Sequence, residues 1–293
     1  MKSVILINWY VVLLSFSSNG DKVEQSIKDT LHEHLQSSIW SWKLIKSRLK
    51  TVYPVAFKVD VVSTYNVTKS LQSKIKDGKY KECAAILKKN PSQKGKDGVY
   101  TIYPDGKQKK KVYCDMTTEG GGWTIFQKRV DGTTNFYRTW NEYKAGFGDP
   151  VKNFWMGNDA LHLLTKKGKH ELRVDLQRFN GQKGFAKYSS FAVGDERSKY
   201  KLSLSGYSGS IRDSLYFHNR MKFTTKDQDN DTKKGYNCAV PLESGWWFKD
   251  CAMTNLNGHY VKAPLRKTEC ITWNNWISGE ALKRTAMMTR PSK

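Results

Sequence analysis

Residues 114–132, CDMTTEGGGWTIFQKRVDG, set the character of the C-terminal part of this chain. Within them residues 124–127 read as a short strand, and Asp131-Gly132 is a turn dipeptide. The same grammar extends outward. Strand-like runs recur at 171–176 and 199–205, divided by the turn signals Asp97-Gly98, Asp105-Gly106 and Asn180-Gly181. One helical segment, 158–166, carries Leu161, Leu163 and Leu164. No repeat of fixed period occurs, which argues against solenoids and propellers. Seven of the ten tryptophans and all five cysteines lie beyond residue 82. A folded, disulfide-bearing unit over 83–293 follows.

The chain has 293 residues, 38% of them hydrophobic, enough to bury a sizeable core in about two domains. Fifty Lys and Arg face 27 Asp and Glu, a formal charge of +23 that favours nucleic acid, anionic glycans or anionic membrane surfaces. Beyond the N-terminus no stretch of 18 apolar residues exists, which excludes a multi-span membrane protein. Lys2, an apolar run over 4–14 broken only by Asn8, and then Ser15, Ser17 and Ser18 read as a secretory signal peptide occupying 1–20. That run is too short to span a bilayer, so no membrane insertion is expected. Secretion argues against a nuclear role and makes disulfides the expected state of the cysteines. Five is an odd count, so at least one thiol stays free or pairs between chains.

Residues 21–82 have another pattern. Asp21 and Glu24 form a capping-box signature, and Val23, Ile27, Leu31, Leu35, Ile39, Trp42, Ile45, Leu49 and Val52 follow at spacings of three and four. This predicts a helix of about thirty residues that stops at Tyr53-Pro54. Two uses stand open: a coiled coil that gathers several copies into a homo-oligomer, or a helix packed on its own domain. Val55, Phe57, Val59 and Val61 alternate as a short strand would, and Asn66-Val67-Thr68 is a glycosylation sequon.

The stretch at 114–132 resembles the opening of a fibrinogen C-terminal-like domain, as in ficolins, tachylectins, tenascins and angiopoietins. Further motifs follow in family order: Phe154-Trp155-Met156-Gly157-Asn158-Asp159, Asp213-Ser214-Leu215 with His218-Asn219, residues 226–231, Asn237-Cys238-Ala239, Gly245-Trp246-Trp247 and Asn255-Leu256-Asn257-Gly258. The resemblance implies an α+β fold of short twisted antiparallel sheets with few helices, used for recognition rather than catalysis. It implies two disulfides, Cys83 with Cys114 and Cys238 with Cys251, each contributing about 2 to 4 kcal/mol. Cys270 has no family partner; a buried thiol is favoured over an interchain link.

Asp227, Asp229 and Asp231 alternate in a basic chain, the oxygen-rich pattern of a calcium loop. An EF-hand is excluded, because Thr232 stands where its turn glycine belongs. In isolation three aspartates are an ordinary solvated turn; the resemblance instead assigns Asp229 and Asp231 as carboxylate ligands of calcium, with the carbonyls of Lys233 and Gly235. Lectin-like relatives hold acetyl groups in an adjacent funnel built on a cis bond before the third cysteine. The corresponding positions here are Asn237, Cys238, Leu242, Ala252 and Lys267. Leu242, Ala252 and Lys267 replace a Tyr, a His and a Tyr, so acetyl binding in the usual manner is expected to be weak. Pro241 and Leu242 likewise replace the amide and acid of a fibrin-polymerisation pocket. The cations nearby, Lys249, Lys262, Arg266 and Lys267, suit anionic or microbial surface glycans, or are plain solvated surface.

The leading reading is a secreted, lectin-like protein of innate defence. The alternative is a matrix or receptor-binding factor whose partner is a cell-surface protein. Enzyme chemistry has little support. His170-Glu171 lacks the second histidine of a zinc-protease helix, His32 and His34 face different ways on a helix, and no nucleophilic serine elbow occurs. Nucleic acid keeps only an electrostatic argument, since no recognition signature is present. Residues 83–293 hold 37 Lys and Arg against 20 Asp and Glu, so the charge belongs mainly to the recognition unit.

Overall fold

The structure is a computed structural model that describes residues 2–7, 10–15, 59–60 and 78–292. It divides into two units, Met1–Gly78 and Lys79–Lys293. In the first unit, β1 (Lys2–Ile7) and β2 (Tyr10–Ser15) form an antiparallel hairpin, and β2 also pairs with β3 (Val59–Asp60). Val4, Ile5, Val11 and Val12 give the apolar run the β-branched content of a strand. The helix expected over 21–52 and the sequon at Asn66 lie outside the described residues.

The second unit is built on one nine-stranded antiparallel sheet. Helix α1 (Cys83–Lys89) leads into β4 (Gly98–Ile102), β5 (Lys110–Asp115) and β6 (Trp123–Arg129). Then come α2 (Trp140–Ala145), β7 (Phe147–Gly148), β8 (Phe154–Trp155) and α3 (Asn158–Thr165). Strands β9 (His170–Gln177), β10 (Lys183–Val193) and β11 (Leu202–Gly209) follow, and β12 (Thr254–Asn255) and β13 (Thr272–Trp273) make a separate ribbon. The last strand, β14 (Arg284–Pro291), enters the middle, giving the order β11-β10-β9-β14-β6-β5-β4 with β8 on β6 and β7 on β8. These short antiparallel strands, few helices and two disulfides are the α+β fold expected.

Alternation decides which way each strand faces. In β9, His170, Leu172, Val174 and Leu176 are buried, while Glu171, Arg173, Asp175 and Gln177 point to the outer face. The buried set joins Phe126, Tyr188, Phe191 and Met287 in a core that reaches Trp155, Trp246, Trp247 and Phe223. Rings there meet edge to face, as Tyr143 does Trp155 at 5.6 Å and 75°. The run expected at 199–205 becomes a strand only from Leu202. Lys199 and Tyr200 have φ of 58° and 49°, a left-handed turn in which Tyr200 donates its N–H to Asp195 O.

Candidate functional site

Both disulfides join the expected pairs, Cys83 to Cys114 and Cys238 to Cys251. Cys270 is free and buried, and desolvation, aided by Glu269, pushes its thiol up to about 11. A buried thiol with that acidity is an inert core residue.

The acidic loop is fastened to both halves of the Cys238–Cys251 bridge. The Asp231 carboxylate accepts the Cys238 N–H at 2.9 Å and the Lys233 N–H at 2.8 Å. On the other side Thr232 donates its N–H to Lys249 O at 3.1 Å. Asp229 lies next to Asp231 and accepts its N–H at 3.2 Å. Burial raises the Asp231 pKa above its ordinary value, the Asp229 charge adds to this, and together they outweigh the two amide donors. No described cation pairs with either carboxylate: Lys233, the nearest in sequence, bridges to Asp250 at 3.2 Å. Nor does any described backbone donor occupy the Lys233 or Gly235 carbonyl. Gly235 turns at φ 70°, the left-handed region glycine enters without strain. Two hard carboxylates and two carbonyls without backbone donors suit an oxygen-ligated cation. Among the described residues no three His, Cys, Asp or Glu side chains gather around a metal, so main-chain oxygens must complete any such set.

Asp227, the first of the alternating aspartates, is spent elsewhere. It accepts the Trp140 N–H at 2.9 Å and the Thr225 hydroxyl at 2.7 Å, adding a carboxylate to the start of α2 beside the Thr139–Glu142 capping box. Asn230 donates to Phe223 O at 2.8 Å, which ties the loop to the aromatic core.

Of the five residues matched to the acetyl funnel, Asn237, Cys238 and Leu242 share one turn and Ala252 follows the partner half-cystine. Asn237 is committed to the backbone, donating to Thr225 O and accepting from Ala239 N. Leu242 is 7% exposed and sits in the core cluster. Lys267 is exposed and bridges to Glu269 at 3.4 Å on its own loop. The cis peptide bond corrects the sequence reading: it is Asp250–Cys251, not Asn237–Cys238. The cis bond lies on the other half of the same bridge, where the Cys251 carbonyl accepts from the Lys249 N–H while the Cys238 N–H donates to Asp231.

His218 had only a place in a motif, and the structure gives it a role. Fully buried, it donates from Nδ1 to Trp247 O at 2.7 Å and accepts at Nε2 from the Met253 and Thr254 N–H groups, each at 3.2 Å. Desolvation lowers its pKa to about 4, so the ring is neutral and pins the segment just after the cis bond. Its contacts are 29 to 36 residues away, which no local pattern announces.

The family model for the C-terminal globular domain of fibrinogen beta and gamma chains matches residues 79–292. Fibrinogen-like protein A of Apostichopus parvimensis is 49% identical over 183 residues, covering 61% of this chain and 64% of its own length. Ryncolin-4 of Cerberus rynchops is 44% identical over 202 residues, 67% of this chain and 58% of its own. The chain thus spans less than two thirds of these relatives. The fibrinogen-like globe domain of human ANGPTL6 superposes with a TM-score of 0.69 at 37% identity, covering 73% of this chain and 96% of that domain.

Proposed function

The chain belongs to the fibrinogen C-terminal domain family, whose members are recognition or structural modules and not enzymes, and on that premise we propose a secreted, lectin-like recognition protein with a calcium-ordered loop. Its targets are anionic or microbial surface glycans, its setting innate defence, and residues 21–82 assemble it as a homo-oligomer. The observation that carries the reading is the pair Asp229 and Asp231, two neighbouring carboxylates tied to a disulfide and matched by no described cation. With calcium present, these two side chains and the carbonyls of Lys233 and Gly235 would hold it. The ion would supply the positive charge that two crowded carboxylates lack, and so order the segment from Asp229 to the Cys238–Cys251 bridge. Asn237 would keep the floor of the site in register through its backbone bonds.

A glycan array read with calcium and with chelator tests this. Calcium-dependent retention of sialylated or phosphorylated sugars over neutral N-acetylated ones is expected; retention of none of these, with or without calcium, overturns the glycan reading at the loop. Leu242 in the core and Ala252 in place of an aromatic or imidazole wall favour the second reading, a matrix or receptor-binding factor with a cell-surface protein partner. Capture of one membrane protein by the immobilised protein, with an empty array, would decide for it.

A further inference from the structure

The outer face of the sheet carries a concavity of about 520 Å³, remote in sequence from the acidic loop. Register explains its shape. Lys128, Ala286, Asp175 and Phe185 stand in one cross-strand row, and Arg284, Gln177 and Lys183 in the next. Cross-strand neighbours are about 5 Å apart, so the small Ala286 leaves a floor ringed by long side chains. Arg173, two residues before Asp175 on the same face, completes the ring.

The charges in this ring do not cancel. Asp175 is the only acid of the lining, and it bridges Arg173 at 2.9 Å. Lys128, Lys183 and Arg284 bridge to no described carboxylate. Lys128 lies over the Tyr113 ring at 3.9 Å, and burial, together with the charge of Arg284, lowers its pKa. Cations crowded around a concave floor form an arrangement that an anion relieves.

We propose that this cavity is a binding site for sulfate groups of a linear sulfated polysaccharide, formed by Lys128, Lys183 and Arg284 over the Ala286 floor. Charge selects this occupant. Nucleic acid needs an aromatic stacking platform, and Phe185 is already covered by the Arg173 guanidinium at 4.2 Å. A membrane needs exposed apolar side chains, and none of the exposed large hydrophobic residues lines the cavity. The site is separate from the calcium loop and does not depend on it.

The test is affinity chromatography of the full chain on immobilised heparin, in chelator so that the acidic loop is silent. The variants are Lys183→Gln/Arg284→Gln, both exposed and thus safe for folding, and Lys128→Gln. The control is Lys88→Gln/Lys89→Gln, exposed at the end of α1 and outside the lining of the cavity. The exposed double variant should bind heparin about tenfold more weakly and elute at lower salt, with an unchanged melting temperature. Lys128→Gln should weaken binding in the same direction, the control should elute with the parent, and desulfated heparin should not be retained. Equal elution of parent and double variant overturns the site, as does an equal loss in the control. Retention of single-stranded DNA or phosphatidylserine vesicles as tight as that of heparin overturns the choice of ligand.

Discussion

The acidic loop and the outer-face cavity are opposites within one fold. In the loop two neighbouring carboxylates pair with no described cation, whereas in the cavity three cations with no described carboxylate partner surround a floor whose one acid is spent on Arg173. Elsewhere on the same sheet face charges are matched: Glu119 takes Lys187, and Glu171 takes Arg290 at 2.6 Å. Like charges crowded in these two places mark them for outside partners of opposite sign.

The largest effect is acidification, acting through His218, which holds the segment after Cys251, the far half of the bridge to which the loop is tied. His218 has a folded pKa of about 4 against an ordinary 6.5. Its stabilisation is complete above pH 6.5 and falls as the pH drops toward 4, because only the unfolded state takes up the proton in that window. The loss should reach about 3 kcal/mol, read as a falling unfolding free energy across a pH series. A flat profile there would remove His218 as the pin behind the loop.

Calcium comes next. At a hundredfold excess over its dissociation constant it should add about 2.7 kcal/mol, or roughly 5 to 10 °C in melting temperature. Asp231→Asn should abolish the shift while heparin elution stays put. In chelator the raised pKa of Asp231 means that the folded state holds this proton to higher pH than the unfolded state does. Asp231 therefore contributes a part of the metal-free stability that declines as pH rises through the carboxylate range, opposite in sign to that of His218, and saturating calcium should remove it. Scans with and without chelator between pH 3 and pH 6 would show parallel curves if the loop held no metal.

Salt separates the two regions by a smaller margin. Raising ionic strength from about 0.1 M to 1 M shortens the screening length from about 10 Å to 3 Å. Heparin should elute while most of the calcium-dependent thermal shift persists, and loss of both together would merge the two regions into one. The smallest expected effect is none at all: iodoacetamide at neutral pH should leave Cys270 unmodified by mass until denaturant is added, and a non-reducing gel should show no link through it.

Legibility from sequence followed the range of each interaction. The strands at 124–127 and 171–176 and the helix at 158–166 declare themselves within a few residues, and the structure contains them in β6, β9 and α3. The motif order supplied the disulfide partners and the acidic loop. It did not reveal that Asp227 serves α2, because Trp140 is 87 residues away, nor which half of the bridge follows the cis bond. The cavity was illegible altogether. Lys128, Asp175 and Arg284 are strangers in sequence, and only the register of β6, β14 and β9 makes them neighbours.

The position of β14 also bears on how the protein is made. Residues 284–291 occupy the gap between β9 and β6, so translation must pass residue 291 before the sheet can close. At about 5–20 residues per second, β6 waits about 8 to 30 seconds with an unpaired edge before β14 is translated. Such an edge is an invitation to other chains. Expression of this domain should thus benefit from chaperones that shield nascent strands, and a stop codon just before β14 should yield aggregates rather than a shortened globe.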